Sequence, residues 1–105
     1  MIVRIGPSAD LTLLEPHDFK KFKIEIARPR AEFERVRTQF PGRVWLETTE
    51  HGWVAIAALR DWAGYASDPA FQDGLSAMIK VAEKYGWLDE EKTAIRAHIE
   101  WERSE

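Results

Sequence analysis

The sequence contains no cysteine, which excludes disulfide bonds, thiolate catalysis and cysteine-ligated zinc. It also lacks any hydrophobic run close to the roughly 20 residues that a membrane-spanning helix needs. Residues 53–59 form the longest such run, and the N-terminal residues, interrupted by Arg4 and Pro7, do not resemble a signal peptide. We therefore expect a cytoplasmic protein without a membrane partner.

Phosphate-binding loops are also missing from the sequence. The six glycines occur in neither the spacing of a dinucleotide-binding loop nor that of a P-loop. The serines lack the surroundings of a nucleophile elbow. Because no motif for catalysis, nucleotide binding or metal binding is present, we expect no cofactor and no metal. We favour a protein without enzymatic activity, while catalysis stays open.

The composition is that of an ordinary globular protein. A chain of 105 residues with 45% hydrophobic and 31% charged residues suits one domain, so we expect a single α+β domain over residues 1–105. Strands are predicted at residues 1–5, 11–14, 21–27 and 43–48. Among these, the segment 21–27 alternates apolar and charged side chains, which is the pattern of a half-buried strand. A helix from Asp18 is the alternative, but it would misplace Ile24, so we favour the strand.

The middle of the chain is less clear. Proline suits the first turn of a helix, so a helix is predicted to begin at Pro29 and to end before Pro41 and Gly42. Residues 53–59 are predicted to be the hairpin partner of the strand that precedes them. Their alanine content leaves a helix that continues through Asp61 as an open alternative.

The last third of the sequence predicts two helices. Asp68 and Pro69 are typical of a helix start, and an apolar stripe follows as far as Gly86, where a helix commonly ends. Asp89 is a second candidate N-cap, and the apolar residues after it fit helical spacing. The predicted fold class is therefore α+β, with a small, mainly antiparallel sheet, one central helix, and a C-terminal antiparallel helix pair packed on one face.

Five tryptophans are the most unusual feature of the sequence. Tryptophan combines a large apolar surface with one N–H donor, so it suits cores, protein interfaces and ligand pockets. Trp45 and Trp53 are expected to face each other across the predicted hairpin. We take Trp45, Trp53, Trp62 and Trp101 as candidate ligand or interface residues, with packing in the core and at sheet edges as the alternative.

Histidine and carboxylate pairs are the candidates for proton transfer. His98 and Glu102 lie four residues apart on the predicted last helix, where the two groups can share a proton or a metal ion. A metal site would also require His17 or His51 from elsewhere in the chain. The alternative is an ion pair on a helix surface. His17 and Asp18 form a second candidate pair, for which a solvated turn is the alternative.

Basic residues are concentrated in one segment. Residues 20–43 hold eight basic residues against three acidic ones, whereas residues 83–105 hold seven acidic residues against four basic ones. Arginine binds phosphate groups bidentately, so Arg28, Arg30 and Arg35 are candidates for an anion site. The acidic isoelectric point, near 5.6, argues against nucleic acid as the partner.

These observations favour a small non-catalytic binding or protein-interaction module that forms a homodimer. The first alternative is a small-molecule binder or enzyme with a tryptophan-lined pocket between the sheet and the helices. The second alternative is a weak anion or nucleic-acid binder that uses the basic segment 20–43.

Overall fold

The computed structural model describes residues 1–103 and is built on one six-stranded sheet. In chain order the strands are β1 (Ile2–Ile5), β2 (Leu11–Leu14), β3 (Lys23–Pro29), β4 (Val44–Leu46), β5 (His51–Ala55) and β6 (Ala94–Arg103). Their order across the sheet is β2-β1-β3-β6-β5-β4. The last two residues of the acidic segment 83–105, residues 104 and 105, lie outside the described residues.

The sheet is mixed, so the prediction of a mainly antiparallel sheet holds only in part. The central strands β1, β3 and β6 run parallel, while β2 pairs antiparallel with β1, and β4 and β5 form an antiparallel hairpin that continues onto β6. The parallel pairs join distant parts of the sequence, as where Lys23 lies opposite His98. Such pairs require long crossover connections, which local sequence patterns do not reveal.

The helices within residues 1–103 are α1 (Phe33–Val36), α2 (Ile56–Arg60) and α3 (Pro69–Lys84), with a 3₁₀ turn (Arg30–Glu32) before α1. None of these helices combines the length and the apolar character that crossing a membrane requires. The central helix predicted from Pro29 onwards is much shorter than expected. Strand β3 continues through Pro29, and Phe40 already pairs with Val44 at the next hairpin, which leaves little chain between them for a helix.

The segment around residues 53–61 contains both of the alternatives that its sequence left open. Strand β5 ends at Ala55, whose N–H group makes a hydrogen bond of 2.8 Å to the carbonyl oxygen of Arg43. Helix α2 begins at the next residue, Ile56, and buries Leu59 in the core. The predicted strand is therefore right for the first part of the segment and wrong for the second.

The predicted second C-terminal helix is wrong, because residues 94–103 form strand β6. Asp89 does not cap a helix. Its carboxylate accepts hydrogen bonds from the backbone N–H groups of Thr93 (2.7 Å) and Ala94 (3.1 Å), which closes a turn. Lys92 in this turn has a φ of 58°, which redirects the chain into the strand.

From Ile95 onwards, strand β6 alternates between a buried and an exposed face. The buried side chains include Ile95, Ala97 and Ile99, and the exposed ones are Arg96, His98, Glu100 and Glu102. The two isoleucines, four residues apart, fit a helical spacing as well as an alternating one, which explains the wrong prediction. The partners that decide between the two, strands β3 and β5, come from far away in the sequence.

Helix α3 confirms the prediction made from its caps and its apolar stripe. The carboxylate of Asp68 accepts a hydrogen bond of 3.1 Å from the N–H group of Phe71, and Pro69 opens the first turn. The buried side chains of the helix join one core cluster with the inner face of the sheet. They are Phe71, Leu75, Met78 and Ala82.

The C-terminus of α3 is a Schellman motif centred on Gly86, as its position in the sequence predicts. Gly86 has a φ of 75°, and its N–H group bonds to the carbonyl oxygen of Glu83 at 3.2 Å. The N–H group of Trp87 bonds to the carbonyl oxygen of Ala82 at 2.8 Å. Two otherwise unpaired helix carbonyls are satisfied, and the backbone of Trp87 is held against the end of the helix.

Candidate functional site

A gap in the sheet lies beside the first half of β6. On one side, Ala94 to Ala97 pair fully with β5. On the other side, β3 joins β6 only at His98, so the earlier residues have no strand there. The chain after α3 fills part of this gap. Leu88 bridges to Ile95, and the N–H group of Arg96 bonds to the carbonyl oxygen of Trp87 at 2.7 Å. The space between this segment and the start of β3 remains open as a cleft.

The cleft has a volume of about 790 Å³ and lies between α3, β6 and the segment that precedes β3. Its lining is mainly apolar. Small residues of α3 and β6 account for much of the space, because they place little side-chain volume between the two elements. They are Gly74, Ala77, Ala82 and Ala97.

One wall of the cleft is the segment 19–22, which is fastened at both of its ends. The α-amino group of Met1 donates hydrogen bonds to the backbone carbonyl oxygens of Asp18 and, at 2.8 Å, Lys21. The ring of Phe19 lies directly on Gly74 of α3, where an added Cβ atom would come within 2.1 Å of the ring. Glycine lowers helix stability at this position, yet its missing side chain is what lets the wall approach the helix.

The end wall of the cleft is Trp87. It is the most exposed of the five tryptophans at 46% of its surface, and its ring stacks on Tyr85 with 5.0 Å between the centroids. The Schellman motif fixes its backbone, so an exposed indole is held beside an apolar hollow. Trp87 is not among the four tryptophans that the sequence suggests as ligand or interface residues.

The polar groups of the cleft are all cations or imidazoles. They are Lys20, Lys21, His51, Arg96 and His98, and no Asp or Glu lines the cleft among the described residues. The two imidazole rings meet edge to face with 6.0 Å between their centroids. This arrangement follows from the register of β5 and β6, which places His51 directly opposite His98.

The structure separates the two residues predicted to share a proton. His98 and Glu102 lie on the same face of a strand rather than one turn apart on a helix, and four strand residues span about 13 Å. Glu102 pairs with Arg4 on the exposed face of the sheet. His98 lines the cleft and approaches His51 instead. Within the described residues, no group of three or more potential ligands is arranged to hold a metal ion.

The predicted tryptophan set is dispersed over the fold. Trp45 and Trp53 do lie opposite each other, as predicted, and the indole N–H of Trp53 bonds to Glu47 at 2.9 Å. The indole N–H of Trp101 bonds to the carbonyl oxygen of Thr49 at 2.7 Å. Trp62 lines a second, smaller cleft of about 470 Å³. None of these four residues lines the larger cleft.

The arginines predicted to bind anions do not line the cleft. Arg28 forms an ion pair with Glu32, and Arg35 lies 4.0 Å from the same carboxylate. Arg30 is exposed. The basic segment 20–43 instead supplies its first two lysines, residues 20 and 21, to the cleft.

His17 does not pair with Asp18. Its Nε2 atom lies 3.2 Å from the carboxylate of Asp68, the N-cap of α3, and its ring meets the edges of Tyr65 and Phe71. The hydrogen bond from the N–H of Phe71 lowers the pKa of Asp68 from its ordinary value of 3.8; burial partly opposes this, and His17 reinforces it. This pair joins the segment before the cleft wall to the start of α3.

Acid is therefore expected to destabilise the fold through Asp68. A carboxylate whose pKa is lower in the folded state stabilises that state above pH 3.8, and this stability is lost as the pH falls through the lowered pKa. Asp68→Asn keeps a capping oxygen but removes the charge. We expect urea unfolding of D68N to differ less between pH 6 and pH 3 than that of the wild type, with the exposed Asp73→Asn as the control. An equal difference in the two proteins would contradict this role of the Asp68 carboxylate.

No protein-family model matches this chain, and neither a curated protein nor a solved structure is significantly similar to it.

Proposed function

We propose that this chain is a binding protein for a small apolar molecule, which it holds in the cleft between α3, β6 and the segment 19–22. The observation that carries the proposal is the cleft itself. Its volume of about 790 Å³ lies within the roughly 300–1,000 Å³ typical of ligand sites. A mainly apolar lining with a few polar groups at defined positions is the usual composition of such sites.

The shape of the cleft favours a small-molecule ligand over a protein partner that binds through a flat surface. It is concave, and its floor includes buried residues of the core such as Met78 and Ala97, so a ligand that enters gains contacts with already packed surfaces. A saturated ten-carbon chain offers up to about 8 kcal/mol of transfer free energy, at about 0.8 kcal/mol for each CH₂ group. Ordering costs remove much of this gain, which leaves dissociation constants on the order of micromolar to millimolar.

The test is a titration of the ¹⁵N-labelled protein with decan-1-ol, a neutral apolar probe, followed by NMR. We expect saturable shift changes in the backbone amides that line the cleft and in the indole N–H of Trp87. The amides of the smaller cleft around Trp62 are the internal control, because Asp61 and Arg43 give that cleft a polar lining. Unsaturable shifts spread over the surface, or none at all, would reject the proposal.

The self-association predicted from the tryptophan content stays a prediction. Light scattering on the ligand-free protein tests it independently of the binding proposal. Catalysis is not part of this proposal, since the two residues named as proton-transfer candidates, His98 and Glu102, lie apart on β6.

A further inference from the structure

We infer that the ligand of the cleft is a carboxylate, a small organic acid whose apolar body lies against α3 and β6 while its anionic head meets the cations of the lining. This inference rests on the proposed function and adds the charge of the ligand to it. It commits to one occupant, a free monocarboxylic acid, on the ground of charge complementarity.

The charges of the cleft are all of one sign, and their counterions are missing from its lining. Lys20, Lys21 and Arg96 line the cleft. Within residues 1–102 none of them has a carboxylate within 4.0 Å, whereas Arg4, Lys23 and Arg28 of the sheet are each paired with one. The contrast is sharp beside the cleft, where Lys23 bonds to Glu100 at 2.7 Å.

The cleft lining carries only positive charges although the protein as a whole is negatively charged. The chain carries 18 acidic residues against 15 basic ones, a net charge of −3, so a lining without carboxylates is not a consequence of composition. A cleft of one charge sign with low-dielectric walls concentrates ligands of the opposite sign. A bound anion would therefore meet a net positive charge in the cleft, since Glu100, two residues from His98 on β6, is itself paired with Lys23.

The imidazoles add hydrogen-bond donors near one of these cations, because His98 lies two residues from Arg96 on the same face of β6. His51 and His98 are neighbours across the β5–β6 ladder, and a neutral imidazole still supplies one N–H donor. Lysine ammonium groups and an arginine guanidinium form charge-assisted hydrogen bonds with a carboxylate, which are stronger than those between neutral groups. The apolar part of the lining includes Ala77, Met78 and Val81 of α3.

The experiment compares probes with the same decyl chain: decanoate, decan-1-ol and decyltrimethylammonium, each titrated by calorimetry at low ionic strength. We expect decanoate to bind about tenfold more tightly than decan-1-ol, as several partly exposed ion pairs acting together would give, and the cation to bind least. Added salt should weaken decanoate binding and leave decan-1-ol unchanged. A second pair, 2-naphthoate and 2-naphthol, tells an aromatic acid from a fatty acid.

Matched variants assign the effect to the cleft. In one protein Lys20, Lys21 and Arg96 are changed to Gln, and in the control Arg30, Arg43 and Lys80 are changed to Gln. All six residues are exposed, and both variants lose three positive charges. The first variant should lose the preference for decanoate over decan-1-ol, and the control should keep it.

The outcomes separate the two proposals. Equal binding of decanoate and decan-1-ol by the wild type would overturn the carboxylate inference and leave the apolar binding site intact. Absence of binding by every probe would overturn both. Equal loss of the decanoate preference in the two variants would show that the whole-protein charge, and not the cleft, selects the anion, and would also overturn the inference.

Discussion

Phe71→Ala is expected to lower the free energy of unfolding by about 3–5 kcal/mol, the usual cost of removing a buried phenylalanine. The ring is fully buried and is the largest of the side chains with no exposed surface. It lies at the first turn of α3 and contacts the rings of Tyr65, at 5.1 Å between centroids, and of Phe19, at 6.0 Å. The loss is a large part of the roughly 5–15 kcal/mol that stabilises a typical domain.

The substitution should also loosen one wall of the cleft. Phe19 packs between Phe71 and Gly74, so a cavity at position 71 removes one of the two surfaces that hold the wall segment 19–22. Urea denaturation followed by circular dichroism measures the stability. Val81→Ala on the same helix is the control, because Val81 is 49% exposed and its truncation should change stability by no more than about 0.5 kcal/mol. Similar midpoints for F71A and the wild type would mean that α3 does not face the sheet through this side chain.

Ala77→Trp is expected to weaken ligand binding strongly while leaving the fold intact. Ala77 is exposed and lines the cleft, so an indole at this position fills the space that a ligand would take without displacing a core residue. Loss of about 2 kcal/mol of buried apolar contact corresponds to about a 30-fold weaker affinity for decan-1-ol and decanoate alike.

The matched control for this substitution is Ala70→Trp. Position 70 is seven residues earlier on nearly the same face of α3, is also exposed, and does not line the cleft. Calorimetric titration of both variants, after thermal unfolding has shown that they are folded, compares them directly. Wild-type affinity in A77W together with weakened binding in A70W would locate the ligand nearer the start of the helix than we propose.

The parts of the fold that follow from the sequence are those governed by neighbouring residues. The alternation around Ile24 and Ile26 predicted β3, and Asp68 and Gly86 marked both ends of α3. These signals reflect backbone preferences and capping hydrogen bonds within a few residues. The register of β6 depends on strands far away in the chain, so Asp89, a good helix cap, was misinterpreted.

The cleft could not be predicted for the same reason. The sequence pairs His98 with Glu102 and offers His51 only as a further ligand for a metal site, whereas the β5–β6 ladder places the two histidines opposite each other. Trp87 follows the glycine that ends α3, a position where an apolar side chain commonly packs back on the helix, so no local pattern indicates its exposed ring. Lys20 and Lys21 were counted within a basic segment whose arginines serve other contacts. The site arises where three distant segments meet.

Trp87 closes two hydrogen-bonded systems at once. Its amide completes the last turn of α3 through Ala82, and its carbonyl oxygen holds the amide of Arg96 at the free edge of β6. Fraying of the helix and detachment of that edge are therefore one opening event rather than two, and the amide protons of Trp87 and Arg96 should exchange with deuterium together. A ligand bound against the indole should slow the exchange of both amide protons. Ligand binding would therefore stabilise the end of a helix and the edge of a sheet together.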